Sequence, residues 1–123
     1  MSIDAKAGVA KTEKPWGYEL LWAKTDKYVG KVIHIKAGHA LSLQYHKQKV
    51  ETILVFSGRM AFEIKEGDTL VKREMLPGDR VHVTAGTVHR MTAIEDVDVF
   101  EVSTPELDDV VRLEDRYGRE ERT

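Results

Sequence analysis

No cysteine occurs among the 123 residues. Disulfides, thiolate metal sites and a cysteine nucleophile are therefore excluded. Long apolar runs are missing too. None approaches the roughly 20 residues that a bilayer-spanning helix needs, and the opening "MSIDAKAGVAKTEKPWGYELLW" lacks the apolar core of a secretory signal. A cytoplasmic protein is expected. Charge bias is also absent: 19 Lys and Arg stand against 21 Asp and Glu, a formal net charge of -2. Such a chain has no general attraction for nucleic acid or for anionic membranes, and neither is expected as a partner. There is no internal repeat, no low-complexity tract and no long helical stretch.

What remains is a series of short apolar runs separated by turn signals. "GYELLWA", "YVGKVIHI", "ALSLQYH", "TILVFSG", "RMAFEIKEG", "TLVKREML", "DRVHVTAG", "VHRMTAI" and "VDVFEVS" read as strands. The breaks "KAGH", "EGD", "PGD", "AGT" and "IED" read as turns. The pattern predicts a single all-β domain, a sandwich or barrel, over residues 15–104. Residues 1–14 are expected to form a flexible strap. Residues 105–123, charged with Val110, Val111 and Leu113 interspersed, are expected to form a short helix or arm on the barrel.

Successive strand residues point to opposite faces. Met60, Phe62 and Ile64 thus share an inward face, as do Val81 and Val83. On the same reasoning Lys31 faces inward with Ile33 and Ile35, and Glu101 with Val97 and Val99. Unpaired buried charge is costly, so both ask for a role. Gln44 and His46 leave one strand face about 6.6 Å apart. Glu51 shares its face with Ile53 and Val55, and His89 lies far along the chain in "VTAGTVHRM". Four such donors meeting inside a barrel would form a ligand set for a divalent ion. Trp16 and Tyr18 read as packing residues. His34 and His82 fall on outward faces, and His39 falls on a loop.

These residues resemble the cupin superfamily. Its first motif, G-x5-H-x-H-x4-E-x6-G, is matched by Gly38, Gln44, His46, Glu51 and Gly58, with glutamine for the first histidine. Its second, G-x5-P-x-G-x2-H-x3-N, is matched by Gly78, Gly86 and His89, with Thr84 and Ala93 departing. "KPWGYELL", "GKVIHIKAGHALSLQYH" and "DDVVRLEDRYGR" further resemble the cupin domain of type II phosphomannose isomerases. That resemblance implies a jelly-roll (double-stranded β-helix) barrel and one divalent metal ion, zinc foremost, with manganese, nickel, cobalt or iron as alternatives. Gln44, His46, Glu51 and His89 would be its ligands, and mannose 6-phosphate and fructose 6-phosphate the interconverted sugars. The chain departs from the family at Thr52-Ile53, at Arg59-Met60 and in the shortened "STPEL", which bears on the substrate more than on the metal.

For isomerisation, Glu101 is the candidate base and Lys31 a candidate for holding a sugar oxygen or phosphate. Arg112 and Arg119 are candidates for the phosphate, since guanidinium forks match phosphate oxygens. Two other readings stand beside this one: a non-catalytic sugar-binding or regulatory cupin, and an iron-dependent dioxygenase. A homodimer is expected, with the strap and "PWGYELLW" pairing onto the sheet edge of a second subunit.

Overall fold

A computed structural model describes residues 9–119. Eleven strands make up the described chain: β1 (Ala10–Lys14), β2 (Gly17–Lys24), β3 (Val29–Ile35), β4 (Leu43–Tyr45), β5 (Glu51–Ser57), β6 (Met60–Glu66), β7 (Thr69–Met75), β8 (Arg80–Val83), β9 (His89–Ala93), β10 (Val97–Ser103) and β11 (Val111–Glu114). They form two antiparallel sheets, one ordered β1-β2-β3-β10-β5-β8 and the other β11-β4-β9-β6-β7. The nine expected strands are all present.

The core lies between the sheets. Ile33 and Ile35 of β3, Ile53 and Val55 of β5, Phe62 of β6, Met91 of β9, and Val97 and Val99 of β10 all pack into one cluster. Each comes from the alternating set of its strand, which is what a two-sheet barrel with one wet face per sheet requires. Lys31 and Glu101 fall on this inner face, as their spacing predicts.

Two expectations change. There is no C-terminal helix among the described residues. The arm instead pairs its strand β11 with β4, Arg112 lying opposite Gln44. The strap is also more ordered than expected from Ala10 onward: β1 pairs with β2 along its whole length, while residues 1–8 lie outside the described chain. Consequently β2 has β1 on one side and β3 on the other, and "GYELLW" offers no free edge to a second subunit. No helix of the described chain is long and apolar enough to cross a membrane.

One motif glycine shows why the strand ends are fixed. Gly58 has φ 85°, and a Cβ there would collide with the carbonyl oxygen of Asp96. Only glycine tolerates both conditions, so the β5–β6 turn closes tightly against the β9–β10 turn.

Candidate metal centre

Strand ends supply the site. His46 directly follows β4, Glu51 opens β5 and His89 opens β9. All three are buried, and their ligand atoms lie within 4.8 Å of one another. The hydrogen bonds of the rings dictate how they face. His46 donates through Nδ1 to the carbonyl of Asp109 at 2.6 Å, and His89 through Nδ1 to the carbonyl of Thr87 at 2.9 Å. Both rings therefore turn Nε2 toward a single atom, Oε1 of Glu51, at 3.2 and 3.1 Å.

With Nδ1 protonated, a neutral imidazole presents a lone pair at Nε2. Two lone pairs and a carboxylate oxygen then converge on one point. Among the described residues Glu51 Oε2 and His89 Nε2 have no hydrogen-bond partner, a condition rare for buried polar atoms. One divalent cation would satisfy the whole cluster, and backbone carbonyls behind metal-binding imidazoles orient them in just this way. The donor set fits such an ion. Gln44 lies opposite His89 in the β4–β9 ladder, so the two side chains share a face. The Gln44 amide oxygen accepts a hydrogen bond from the Ser42 hydroxyl at 3.1 Å.

Around this cluster lies a residue that the sequence reading passed over. Lys49 is buried, with Nζ 3.4 Å from Glu51 Oε2 and 3.8 Å from Glu101 Oε2. Its signal was available: Lys49 precedes Glu51 by two positions, so both leave the same face. Burial pushes the Lys49 ammonium toward neutrality, but the charges of Glu101 and Glu51 outweigh that and hold its pKa above the ordinary value. Burial likewise pushes Glu51 upward, yet its close contacts with the His46 and His89 rings and with the Lys49 ammonium keep it well below the usual carboxylate range. Glu101 goes the other way. Its burial and the negative charge of Glu51 raise it well above the ordinary value, against the pull of Lys49 and Lys31.

Gln44, His46, Glu51, Glu101, Lys31, Arg112 and Arg119 all line one cavity of about 100 Å³, with Lys14, Trp16, Glu19 and Lys49. His89 lies fully buried behind it. Lys31 does not pair with Glu101, its cross-strand neighbour; its Nζ meets Glu19 Oε1 at 3.3 Å, while Lys14 reaches the other Glu19 oxygen at 3.6 Å. Arg119 is held by Asp115 through Nε at 2.8 Å and a second nitrogen at 3.1 Å. Arg112 has no carboxylate within ion-pair distance among the described residues. Trp16 both packs in the core and lines the cavity. His39 is on a loop and pairs with the Tyr117 hydroxyl at 2.7 Å.

Two antiparallel sheets enclosing a His-Glu-His cluster at their strand ends define a cupin. Solved structures bear out the fold. CapF of Staphylococcus aureus aligns over 90% of this chain and 33% of its own with a TM-score of 0.74 at 20% identity. KdgF of a Halomonas species aligns over 88% of this chain and 96% of its own with a TM-score of 0.69 at 22% identity. Oxalate decarboxylase of Bacillus subtilis aligns over 87% and 30% with a TM-score of 0.74 at 16% identity. The chain belongs to the mannose-6-phosphate isomerase C-terminal family, whose model matches residues 4–115. It is 33% identical over 112 residues to the mannose-1-phosphate guanylyltransferase of Escherichia coli K12, covering 86% of this chain and 22% of that one. It is 31% identical over 114 residues to the xanthan biosynthesis protein XanB of Xanthomonas campestris pv. campestris B100, covering 89% and 24%. The chain thus spans under a quarter of the length of these relatives.

Proposed function

We propose that this protein is a metal-dependent aldose–ketose isomerase acting on a sugar phosphate, with mannose 6-phosphate and fructose 6-phosphate as the interconverted pair. The observation that carries this reading is the convergence of two imidazole lone pairs on Glu51, beside a second buried carboxyl, Glu101, in a cavity with a basic mouth. Family membership supports the choice of sugar. Guanylyl transfer, named for the longer relatives, is no part of the proposal.

His46, Glu51 and His89 would hold the ion, with Gln44 as fourth ligand. A divalent ion there, zinc foremost, would polarise the substrate carbonyl. Isomerisation takes a proton from the carbon beside the carbonyl and returns one to the former carbonyl carbon, while the hydroxyl proton passes from one oxygen to the other, with no net gain or loss. Glu101 suits that transfer because it faces the cavity yet stands outside the ligand cluster. Lys31, held by Glu19, would bind a sugar oxygen. Arg112, with no carboxylate within ion-pair distance among the described residues, is the stronger phosphate ligand of the two arginines, and Arg119 is oriented by Asp115. Lys49 keeps Glu51 and Glu101 close together without leaving their charge uncompensated.

The test is to reload metal-free protein with zinc, manganese, cobalt, nickel or iron and follow fructose 6-phosphate formed from mannose 6-phosphate. Turnover is expected, abolished by His46→Ala and reduced at least about 100-fold by Glu101→Gln, with metal uptake retained in the latter. No conversion with any of these ions contradicts the reading. The small cavity and the Lys49–Glu101 contact favour a second reading, a non-catalytic module for sugar phosphates. It expects thermal stabilisation by mannose 6-phosphate without turnover.

A further inference from the structure

The turn between β4 and β5 carries the spacing from His46 to Glu51, and it is shaped from outside. All four of its backbone N–H groups, from Lys47 to Val50, are taken up at the root of the C-terminal arm. Asp109 accepts from Lys47 through Oδ1 at 2.9 Å, and from Gln48 and Lys49 through Oδ2 at 2.7 and 2.9 Å. Thr104 Oγ1 accepts from Val50 at 3.0 Å, and the Thr104 N–H donates back to the Val50 carbonyl at 3.0 Å. The Asp109 carbonyl then receives the Nδ1 proton of His46 at 2.6 Å. One arm residue thus sets the path of the turn and also the tautomer and aim of a ligand imidazole.

The arm itself is lightly attached. Its strand β11 is half-exposed, Leu113 is 46% exposed, and among the described residues of the arm only Tyr117 packs against the core cluster. Polar bonds supply the rest: Asp109 to the turn, the Tyr117 hydroxyl to His39 at 2.7 Å, and Arg116 to the Gly38 carbonyl at 2.9 Å. Segments with few buried apolar contacts and exposed hydrogen bonds open locally at far lower cost than a core does. The ligand cluster, by contrast, is sealed: His46, Glu51 and His89 are 3%, 2% and 0% exposed.

We propose that docking of the arm and binding of the metal ion are one coupled equilibrium, with Asp109 as the positioning residue that joins them. The inference rests on the ion being held by His46, Glu51 and His89. With the arm docked, His46 presents its Nε2 lone pair to the point it shares with Glu51 and His89. With the arm undocked, three N–H groups of the turn and His46 Nδ1 lose their acceptors. The imidazole is then free to turn, or to carry its proton on Nε2, where no lone pair is left for an ion. β11 adds to the coupling, since its Arg112 pairs opposite Gln44, the proposed fourth ligand. An ion that binds the docked form more tightly must hold the arm down by the same factor.

Zinc affinity of the full chain, read by competition with a chromophoric chelator, tests one direction of the coupling. Asp109→Ala is expected to weaken it by about 10- to 100-fold, the usual range for a group that orients a metal ligand. Asp109→Asn keeps one acceptor oxygen and should lose less. Phe56→Glu disturbs the stacking of Phe56 on Phe100, ring centroids 4.8 Å apart on the outer face, and controls for plain destabilisation. It should keep the wild-type affinity. Limited trypsin digestion of the wild type tests the other direction and requires no variant to fold. Zinc should slow cleavage after Arg112 and Arg116 by about 10-fold or more. It should leave the cut after exposed Lys27, in the β2–β3 turn, unchanged, and Asp109→Ala should lose the protection of the arm. Undiminished affinity in Asp109→Ala, an equal loss in Phe56→Glu, or zinc that fails to protect the arm would overturn the coupling and leave the metal centre standing. A wild type that takes up no zinc would remove both.

Discussion

At the scale of single residues, the site is governed by three buried ionisable groups set close together. Lys49 Nζ stands within 4 Å of oxygens on both Glu51 and Glu101, and each group would be costly to bury alone. Replacing it by methionine keeps most of the unbranched side chain but removes the compensating charge. Urea denaturation of metal-free Lys49→Met is expected to show a loss of about 3–5 kcal/mol. Adding Glu101→Gln should restore part of it, because an amide, unlike a carboxyl that can ionise, needs no counter-charge. Equal stability of Lys49→Met and wild type would show that the lysine does not compensate them. His46, Glu51 and His89 were legible in the sequence because motif spacing fixes them. Lys49 was missed because its face was not followed back from Glu51 into the turn.

At the scale of elements, alternation was enough to read nine strands and their inward residues, since each buries one side against the core. β1 and β11 escaped it. β1, Ala10–Lys14, is almost wholly exposed, so its side chains carry no periodicity, and it is a strand because β2 offers a free edge. β11 is likewise half-exposed and depends on β4. The arm is held by anchors that spacing cannot reveal. Asp109 accepts backbone N–H bonds from Lys47, Gln48 and Lys49 at 2.7–2.9 Å, while its carbonyl orients His46. Farther along, Asp115 grips Arg119 by side chain and backbone. Those bonds favour the charged form and lower the Asp115 pKa. A depressed acid stabilises the fold above the ordinary carboxylate value and ceases to do so as pH falls through its lower folded value. The Arg119 amide resonance should therefore titrate with a midpoint below about 3.9, the unperturbed value. A midpoint at or above that value would mean the clamp does not form in solution.

At the scale of the whole molecule, the two sheets divide the work. Their inner faces make the core and, where the strand ends at His46, Glu51 and His89 meet, the candidate metal centre. The segments at both ends of the described chain, Lys14 from β1 and Arg112 and Arg119 from the arm, line the approach to it. The fold was readable from two motifs with intact gaps. The composition of the mouth was not, because it depends on how terminal strands add to the sheet edges. Everything proposed about sugar chemistry depends on the central cluster binding an ion. The most direct measurement is metal content per chain after reloading stripped protein with zinc and dialysing it. One ion per chain is expected for the wild type, falling to near zero in His46→Ala and His89→Ala while Phe56→Glu keeps its ion. A wild type that retains no metal, or histidine variants that retain it in full, would contradict the account.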